Sequence, residues 1–509
     1  MDTKALRQKI LDLAIRGKLV PQNPDDEPAS VLLERIREQK QQMLKEGKLK
    51  KKDIKNDTII FKGEDNFYYE QFQDGTVKCI QDEIPFDVPE GWEWSRLESI
   101  CSVLTDGTHK TPTYSDTGFI FLSSKNVTSG KIDWHNVMNI PESLHQVLYK
   151  RIAPQLGDIL LAKNGTTGVA AIVDRAEIFD IYVSLAVIRI TENIIIPEYI
   201  LNVIGSSYIQ GYFLSSLKGI GVPNLHLEHI RKTLLPIPPY YEQQRICSYL
   251  ENLLSIVEQI KTDQENLQNL IIKSKSKILN LAIRGKLVPQ DPNDEPASVL
   301  LKHIQGEKEK LIKQGKIKRD KKESVIFKAD DNSYYQDLPK NWETCSIMAI
   351  AEVDLGKTLD KNKNKGKFYP YLRSINIKWN ALDLSDIKEM RFEADELDRY
   401  RIVKNDLLIC EGGDAGRCCI WDSHKSIFYQ NALHRVRFYG DCEPKYFLYF
   451  MMHLEQIGYL KRISNGVTIK HLTKNALSTI PFMLPPLAEQ KRIVEIIEKI
   501  FAKLDEIAN

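Results

Sequence analysis

The ten residues LAIRGKLVPQ occur at 13–22 and again at 281–290, 268 positions apart in a chain of 509. Identity of that length is not chance, so any fold open to this chain must build the same local structure twice. Extended to 13–33 and 281–301, the two blocks differ only at Asn23/Asp291 and Asp25/Asn293. A lysine-rich stretch follows each, KEGKLKKKDIK from Lys45 and KQGKIKRDKKE from Lys313. An aromatic patch comes next, Phe67-Tyr68-Tyr69 and Tyr334-Tyr335. IPFDVPEGWEW (84–94) and LPKNWE (338–343) then read as the approach to a new domain. A chain this long exceeds one core, so two or more domains are expected.

The next stretch diverges, but landmarks persist. GDILL (157–161) answers NDLLI (405–409), each a short apolar run of strand type. Each leads into a glycine-rich turn, NGTTG (164–168) and GGDAG (412–416). Both copies leave through PPYYEQQRI (238–246) and PPLAEQKRI (485–493), which read as helix starts. Proline suits a first turn, and a glutamate there complements the helix dipole. Beyond the first start, apolar residues step by fours and threes along Ile246, Leu250, Leu253, Val257, Ile260, Leu267, Ile271, Ile278 and Leu281. That is a heptad seam from about 242 to 284. Ile493, Ile497, Ile500, Leu504 and Ile507 repeat its first five positions at a constant offset of 247. The rest of the second seam lies at the other end of the sequence, where Leu6, Ile10 and Leu13 correspond to 274, 278 and 281.

The repeat therefore reads as cyclic, with the second helix split between the two ends of the sequence. The expected fold class is α+β: two α/β globular domains separated by a long antiparallel two-helix coiled coil with a pseudo-two-fold axis. The expected boundaries are a helical segment at 1–40, a charged linker at 41–90 and the first globular domain at 91–238. A central helix at 239–301 follows, then a second charged linker at 302–340, the second globular domain at 341–484 and the last helix at 485–509. At 1.5 Å per residue the central helix spans roughly 65 Å, which suits a ruler between two domains.

Chemistry is hard to find. There is no phosphate-binding loop of the G-x-x-x-x-G-K-[ST] type, no H-E-x-x-H, no clustered Cys/His and no G-x-S-x-G. An amino-methyltransferase tetrapeptide (Asn/Asp-Pro-Pro-aromatic) is also missing; NPDD at Asn23 and DPND at Asp291 read as turns in the repeated block. No metal site and no catalytic residue is expected. No apolar run approaches the ~18 residues of a membrane span, and the opening MDTKALRQKI lacks the apolar core of a signal peptide. Eight scattered cysteines read as reduced thiols of a cytoplasmic protein.

Taken together, the PP-x-x-EQ-x-R-I helix starts, the long helix ending in AIRGKLVPQ, the GDILLAKNGTTG strand and turn, and the two-copy layout resemble the specificity subunits of type I restriction–modification systems, over essentially the whole chain. The resemblance implies two target-recognition domains, each reading one half of a bipartite double-stranded DNA target, with the helices setting the gap. It implies a subunit without activity or cofactor of its own. Two adenine-methylating subunits, which use S-adenosylmethionine, and ATP- and magnesium-dependent translocating and cutting subunits would be its partners. A coiled-coil scaffold whose variable domains bind peptides is the alternative; an enzyme holding a nucleotide on the glycine turns is disfavoured by the missing Lys-Ser/Thr.

Reading a half-site needs donors on loops for base edges and positive groups for phosphates. Residues 344–483 hold 21 Lys/Arg against 17 Asp/Glu, a net +4, while 92–235 hold 12 against 13, a net −1. Local pattern must therefore carry the argument. The loop TDGTHKTPTY (105–114), with Thr108, His109 and Lys110, parallels 355–369, with Lys357, Lys361 and Lys363. FLSSKNV (121–127) parallels YLRSINI (371–377), where Lys125 and Arg373 are contact candidates and Asn126 and Asn376 are either contacts or structural. Lys163, Asn164, Thr166, Thr167 and Arg417 flank the glycine turns and are expected at phosphates.

Overall fold

The computed structural model of the chain describes every residue except 128–129, 192–193, 218–222, 318, 320–337, 361–363, 465, 467–469 and 509. It consists of two units, Met1–Asp263 and Gln264–Asn509. Each holds one complete copy of the repeat.

In the first unit, helix Thr3–Ile15 is capped by Asp2, whose carboxylate accepts from the Ala5 amide at 2.9 Å. It ends at Gly17, with φ +64°. The Lys18 amide bonds back to Leu13 O at 2.8 Å, the closure of a Schellman motif. In the second unit the long helix Tyr240–Ile283 ends the same way, with Gly285 at φ +62° and Lys286 N on Leu281 O at 2.8 Å. Both glycines are required twice over. A Cβ on Gly17 would lie 2.3 Å from Pro89 Cγ, and one on Gly285 would lie 2.4 Å from Pro339 Cγ. The rest of the repeated block makes helices Ala29–Lys45 and Ala297–Lys313.

The globular part of each unit opens and closes on one antiparallel pair of strands. Glu93–Arg96 pairs with Leu234–Ile237, and Glu343–Ser346 pairs with Pro481–Leu484. Between them lies a four-stranded antiparallel sheet. Its order is Cys101–Asp106, Leu185–Ile190, Ile159–Ala162, Ala170–Ile172 in the first unit. In the second it is Ala351–Leu355, Leu433–Phe438, Leu407–Cys410, Cys418–Ile420. The apolar runs read as strands, Ile159–Ala162 and Leu407–Cys410, are buried along their whole length. A second sheet pairs Phe119–Leu122 in parallel with Phe179–Ile181, matched by Lys367–Leu372 with Ile427–Tyr429.

The helical ends belong to the domain cores. Ile10, Leu11, Ala14 and Ile15 share one core with Ile246, Leu250, Val257 and the sheet residues Ile159, Leu161 and Ala186. Leu279, Ala282 and Ile283 share another with Ile493, Ile497, Leu407 and Ile409. Ile271 is also buried. Leu6, Leu13, Leu253, Ile260, Ile278, Leu281, Ile500 and Leu504 are half-buried, and Leu267 and Ile507 are exposed. Burial thus falls on two helix faces rather than one seam, because domain helices pack on a second side: Gln8 Nε2 of Thr3–Ile15 donates to Gly205 O at 3.2 Å.

A second difference concerns 41–90. This stretch, expected to be charged linker, carries a three-stranded antiparallel sheet, Ile59–Lys62, Tyr68–Gln71 and Val77–Cys79. Trp94 and Phe86 cover it, with ring centroids 5.1 Å apart, and Arg96 clamps Glu70 through two hydrogen bonds of 2.8 and 3.0 Å. Lys40, buried, pairs with Asp57 at 2.7 Å. The aromatic patch at Tyr334-Tyr335 lies outside the described residues. Among the described residues no helix is long and apolar enough to cross a membrane, and all eight cysteines are free thiols.

Gly17→Ala is expected to cost roughly 1–3 kcal/mol of unfolding free energy, by backbone strain plus collision with Pro89. Gly47 has φ +72° but open space around it, so Gly47→Ala should cost about 1 kcal/mol, the strain alone. Urea denaturation of the two variants checks the difference; equal losses would remove Pro89 from the explanation.

Candidate nucleic-acid interface

The helix start PP-x-x-EQ-x-R-I anchors each globular part to the repeated block. Glu242 takes the Trp92 indole at 3.0 Å on one carboxylate oxygen and the Gln22 amide at 3.1 Å on the other. Gln22 also donates to Gly17 O at 2.7 Å, at the helix end. The second copy repeats this with Glu489, Trp342 at 2.9 Å and Gln290 at 2.5 Å. Burial pushes both carboxyls above the usual range; the hydrogen bonds and Arg245 or Arg492 pull them back. Arg245 meets Asp26 and Arg492 meets Asp294, both at 2.6 Å. Gln243 and Gln490 lie buried, each donating to the carbonyl of the first proline of the motif at 2.9 Å. These motif residues are spent on the joint.

The sequence candidates fall on three loops that the sheets bring together. The first follows strand Cys101–Asp106. Gly107 starts it, and any Cβ there would meet Ile181 O at 2.1 Å; Gly356, its counterpart, would meet Gln430 O at 2.2 Å. Thr108 and Lys357 then bridge in parallel to Tyr182 and Gln430. The second loop is the 3-10 turn Ser124–Val127, matched by Ser374–Asn376. The third is the glycine turn. Gly168 at φ +88° and Gly416 at φ +97° sit where a Cβ would strike Gln210 or Leu460. Ser184 joins all three in the first unit: its hydroxyl accepts from Ser124 N at 2.9 Å and its carbonyl from Lys163 N at 2.8 Å, while the preceding Val183 amide donates to Thr108 O at 3.0 Å.

Asn126 and Asn376 make matching hydrogen bonds. Asn126 Oδ1 accepts from Ser123 N at 2.9 Å, and its Nδ2 donates to Asp133 O at 3.3 Å and Asn136 O at 3.1 Å. Asn376 Oδ1 accepts from Arg373 N at 2.9 Å, and its Nδ2 donates to Asp383 O at 2.9 Å and Asp386 O at 3.1 Å. Both are buried. Their amides are consumed inside the domain, so they shape the turn and have no free donor for a base.

The remaining candidates divide by exposure. Lys163 is buried and pairs with Asp106 at 2.5 Å, and Lys357 is buried against Glu396 and the Phe392 ring. Neither ammonium faces solvent. His109, beside Asp106 at 3.3 Å, is exposed, as are Lys110, Lys125 and Thr166. Asn164 and Thr167 are half-buried; Thr167 Oγ1 donates to Lys163 O at 3.3 Å. Arg373 bonds Asp386 at 2.8 Å, and Arg417 bonds Asp414 and Ser374 O, so both arginines border the same turn. Lys361 and Lys363 lie outside the described residues.

One charged feature, with two lysines and two carboxylates, was not singled out from sequence. A cleft of about 180 Å³ opens beside the second glycine turn, lined by Trp379, Gly413, Asp414, Ala415, Glu455, Lys461, Ser464 and Lys470. Lys461 and Lys470 are both exposed. The first unit has Gly211 where Leu460 is followed by Lys461, since Gln210 and Leu460 occupy the same place under their glycine turns. The net +4 of the second domain was the only hint of this. Among the described residues no group of three His, Cys, Asp or Glu is placed to hold a metal ion.

The family model described as type I restriction modification DNA specificity domain matches this chain twice, at 89–269 and 339–509. The matches begin at the prolines that face Gly17 and Gly285. The specificity subunit of the type I restriction enzyme EcoEI of Escherichia coli is 27% identical, over 99% of this chain and 90% of that one. That of EcoAI, also from Escherichia coli, is 27% identical over 99% and 88%. A solved chain from work on complex assembly and conformational transition of the type I R-M system superposes with a TM-score of 0.53 at 18% identity, covering 83% of this chain and 93% of that one. With both copies of its globular scaffold matched, the chain belongs to the type I restriction–modification DNA specificity family.

Proposed function

We propose that this chain is the subunit that gives a type I restriction–modification complex its DNA sequence, with each globular domain reading one half of a bipartite target. One observation carries this reading. The two domains share a framework down to individual hydrogen bonds, yet the side chains on the three gathered loops differ. A duplicated frame with unlike loops suits two unlike half-sites, and a peptide-binding scaffold is not favoured. The subunit is non-catalytic.

The finer assignments are proposals. In the first domain Thr108, His109, Lys110, Lys125, Asn164, Thr166 and Thr167 face the DNA. In the second Arg373, Arg417, Lys461 and Lys470 do so, with Lys361 and Lys363. Lys163, Lys357, Asn126 and Asn376 hold the loops in place. The domains extend over 91–238 and 341–484. The helix Tyr240–Ile283, about 66 Å long at 44 residues, forms an antiparallel coiled coil with the other helical pieces, separates the two half-sites and docks methylating subunits, two per chain. Support comes from the second unit, where Lys275 meets Asp505 at 2.5 Å while Gln290 meets Glu489, so sequence runs in opposite senses along the two helices. S-adenosylmethionine, ATP and magnesium belong to the methylating, translocating and cutting partners, in the cytoplasm.

The primary test maps methylated adenines genome-wide in cells that express this chain with its methylating subunit. A bipartite motif with a fixed gap, absent without this chain, is expected; no motif despite a stable complex would defeat the reading. Removing seven residues at 257–263, and seven from the opposing helical piece, should change the gap while leaving both half-site sequences intact. Altered half-site bases would contradict the ruler. Replacing Lys461 and Lys470 by alanine should weaken DNA binding on all sequences and lower the slope of log K against log salt by about 2. An unchanged slope would take these lysines off the phosphates.

A further inference from the structure

The framework is alike enough around 123–136 and 373–386 to be compared position by position. With an offset of 250, the turn amides Asn126 N and Asn376 N bond Ser123 O and Arg373 O at 2.9 and 3.0 Å. Asp133 N and Asp383 N bond Asn126 O and Asn376 O, both at 2.8 Å. The side-chain amides then make the same three bonds in both copies. Ser124 and Ser374 each adjoin the glycine turn: Ser124 Oγ lies 3.5 Å from where a Gly165 Cβ would stand, and Ser374 O accepts from Arg417 at 3.0 Å. A rigid turn thus presents a single side chain outward, and the same one in each domain. In the first it is Lys125. In the second it is Ile375, 54% exposed.

This isoleucine leaves more than half of its surface to solvent. The groups shown bordering the turn are charged: Arg373 with Asp386, and Arg417 on Ser374 O. Isoleucine cannot bond a phosphate. On the floor of the DNA major groove the one apolar group is the 5-methyl of thymine, while guanine N7 and O6 take a donor. Resting on the DNA-recognition reading above, we propose that this position reads a base pair in each half-site. Ile375 is a specificity-determining residue that packs on a thymine methyl, and Lys125 at the same place donates to a guanine edge.

The test uses the full chain assembled with its methylating subunits and duplexes carrying the mapped motif. Each thymine of the half-site bound by the second domain is replaced in turn by deoxyuridine, which removes one methyl and nothing else. At one thymine, binding of the unaltered complex should weaken about four-fold, the scale of one buried methyl group. Ile375→Ala should bind the thymine and deoxyuridine duplexes equally. Ile375→Lys should shift the mapped motif at that base pair alone, with the other half-site and the gap unchanged as internal evidence of a folded complex. The proposal is overturned if no deoxyuridine matters, if Ile375→Ala retains the sensitivity, or if Ile375→Lys keeps the motif. It is also overturned if Ile375→Ala instead releases the methylating subunits, which would make the residue a protein contact. In each of these cases a motif is still directed by the chain, so DNA recognition stands; absence of any motif from the unaltered complex would remove both.

Discussion

A buried carboxylate at the first turn of a helix holds each unit together. Glu242 collects a donor from Gln22 and another from Trp92, segments 220 and 150 residues away in sequence. Removing it from water is costly, so the site works only because both oxygens are hydrogen-bonded and an arginine–aspartate pair lies beside it. The same group orients three things: the end of one helix at Gly17, the start of the next at Pro238, and the strand that leads into the sheet. Glu489 does so in the second unit. The globular part inherits its position on the repeated block from this joint.

How much of this was legible in the sequence follows from what two copies can and cannot report. Identity between copies marked the joint at once, because Gly17, Gln22 and Glu242 each have a twin. It also marked the strands and glycine turns, whose short apolar runs survive divergence. Partners were not legible. Lys163 reads as an exposed donor beside a turn, but Asp106, distant in sequence, draws it inward. Lys357 is hidden by Glu396 in the same way. Lysine-rich flanks concealed the small sheet at 59–79, whose covering residues Phe86 and Trp94 lie beyond it. A heptad argument assumes a single contact face, whereas Leu11 and Ala14 are buried from another side by the domain's own helices.

The two recognition surfaces are built from unlike electrostatics on like frames. The first domain sets a buried aspartate, Asp106, against Lys163, Arg151 and His109, so these cations are partly neutralised from within. The second opens a cleft with two exposed lysines next to its glycine turn. There Asp414 and Glu455 stand beside the lysines, with Lys461 4.0 Å from Glu455, so in this cleft too the cations are partly offset, but at the surface rather than from within.

The paired strands that open and close each globular part have an evolutionary corollary. Because Glu93–Arg96 lies directly against Leu234–Ile237, everything from 97 to 233 is a loop whose two ends already touch. The entropy of closing such a loop varies only with the logarithm of its length, and the ladder at its base asks nothing of what lies inside. The enclosed segment can therefore change in length and sequence as a whole without disturbing the ladder that holds it to the repeated block.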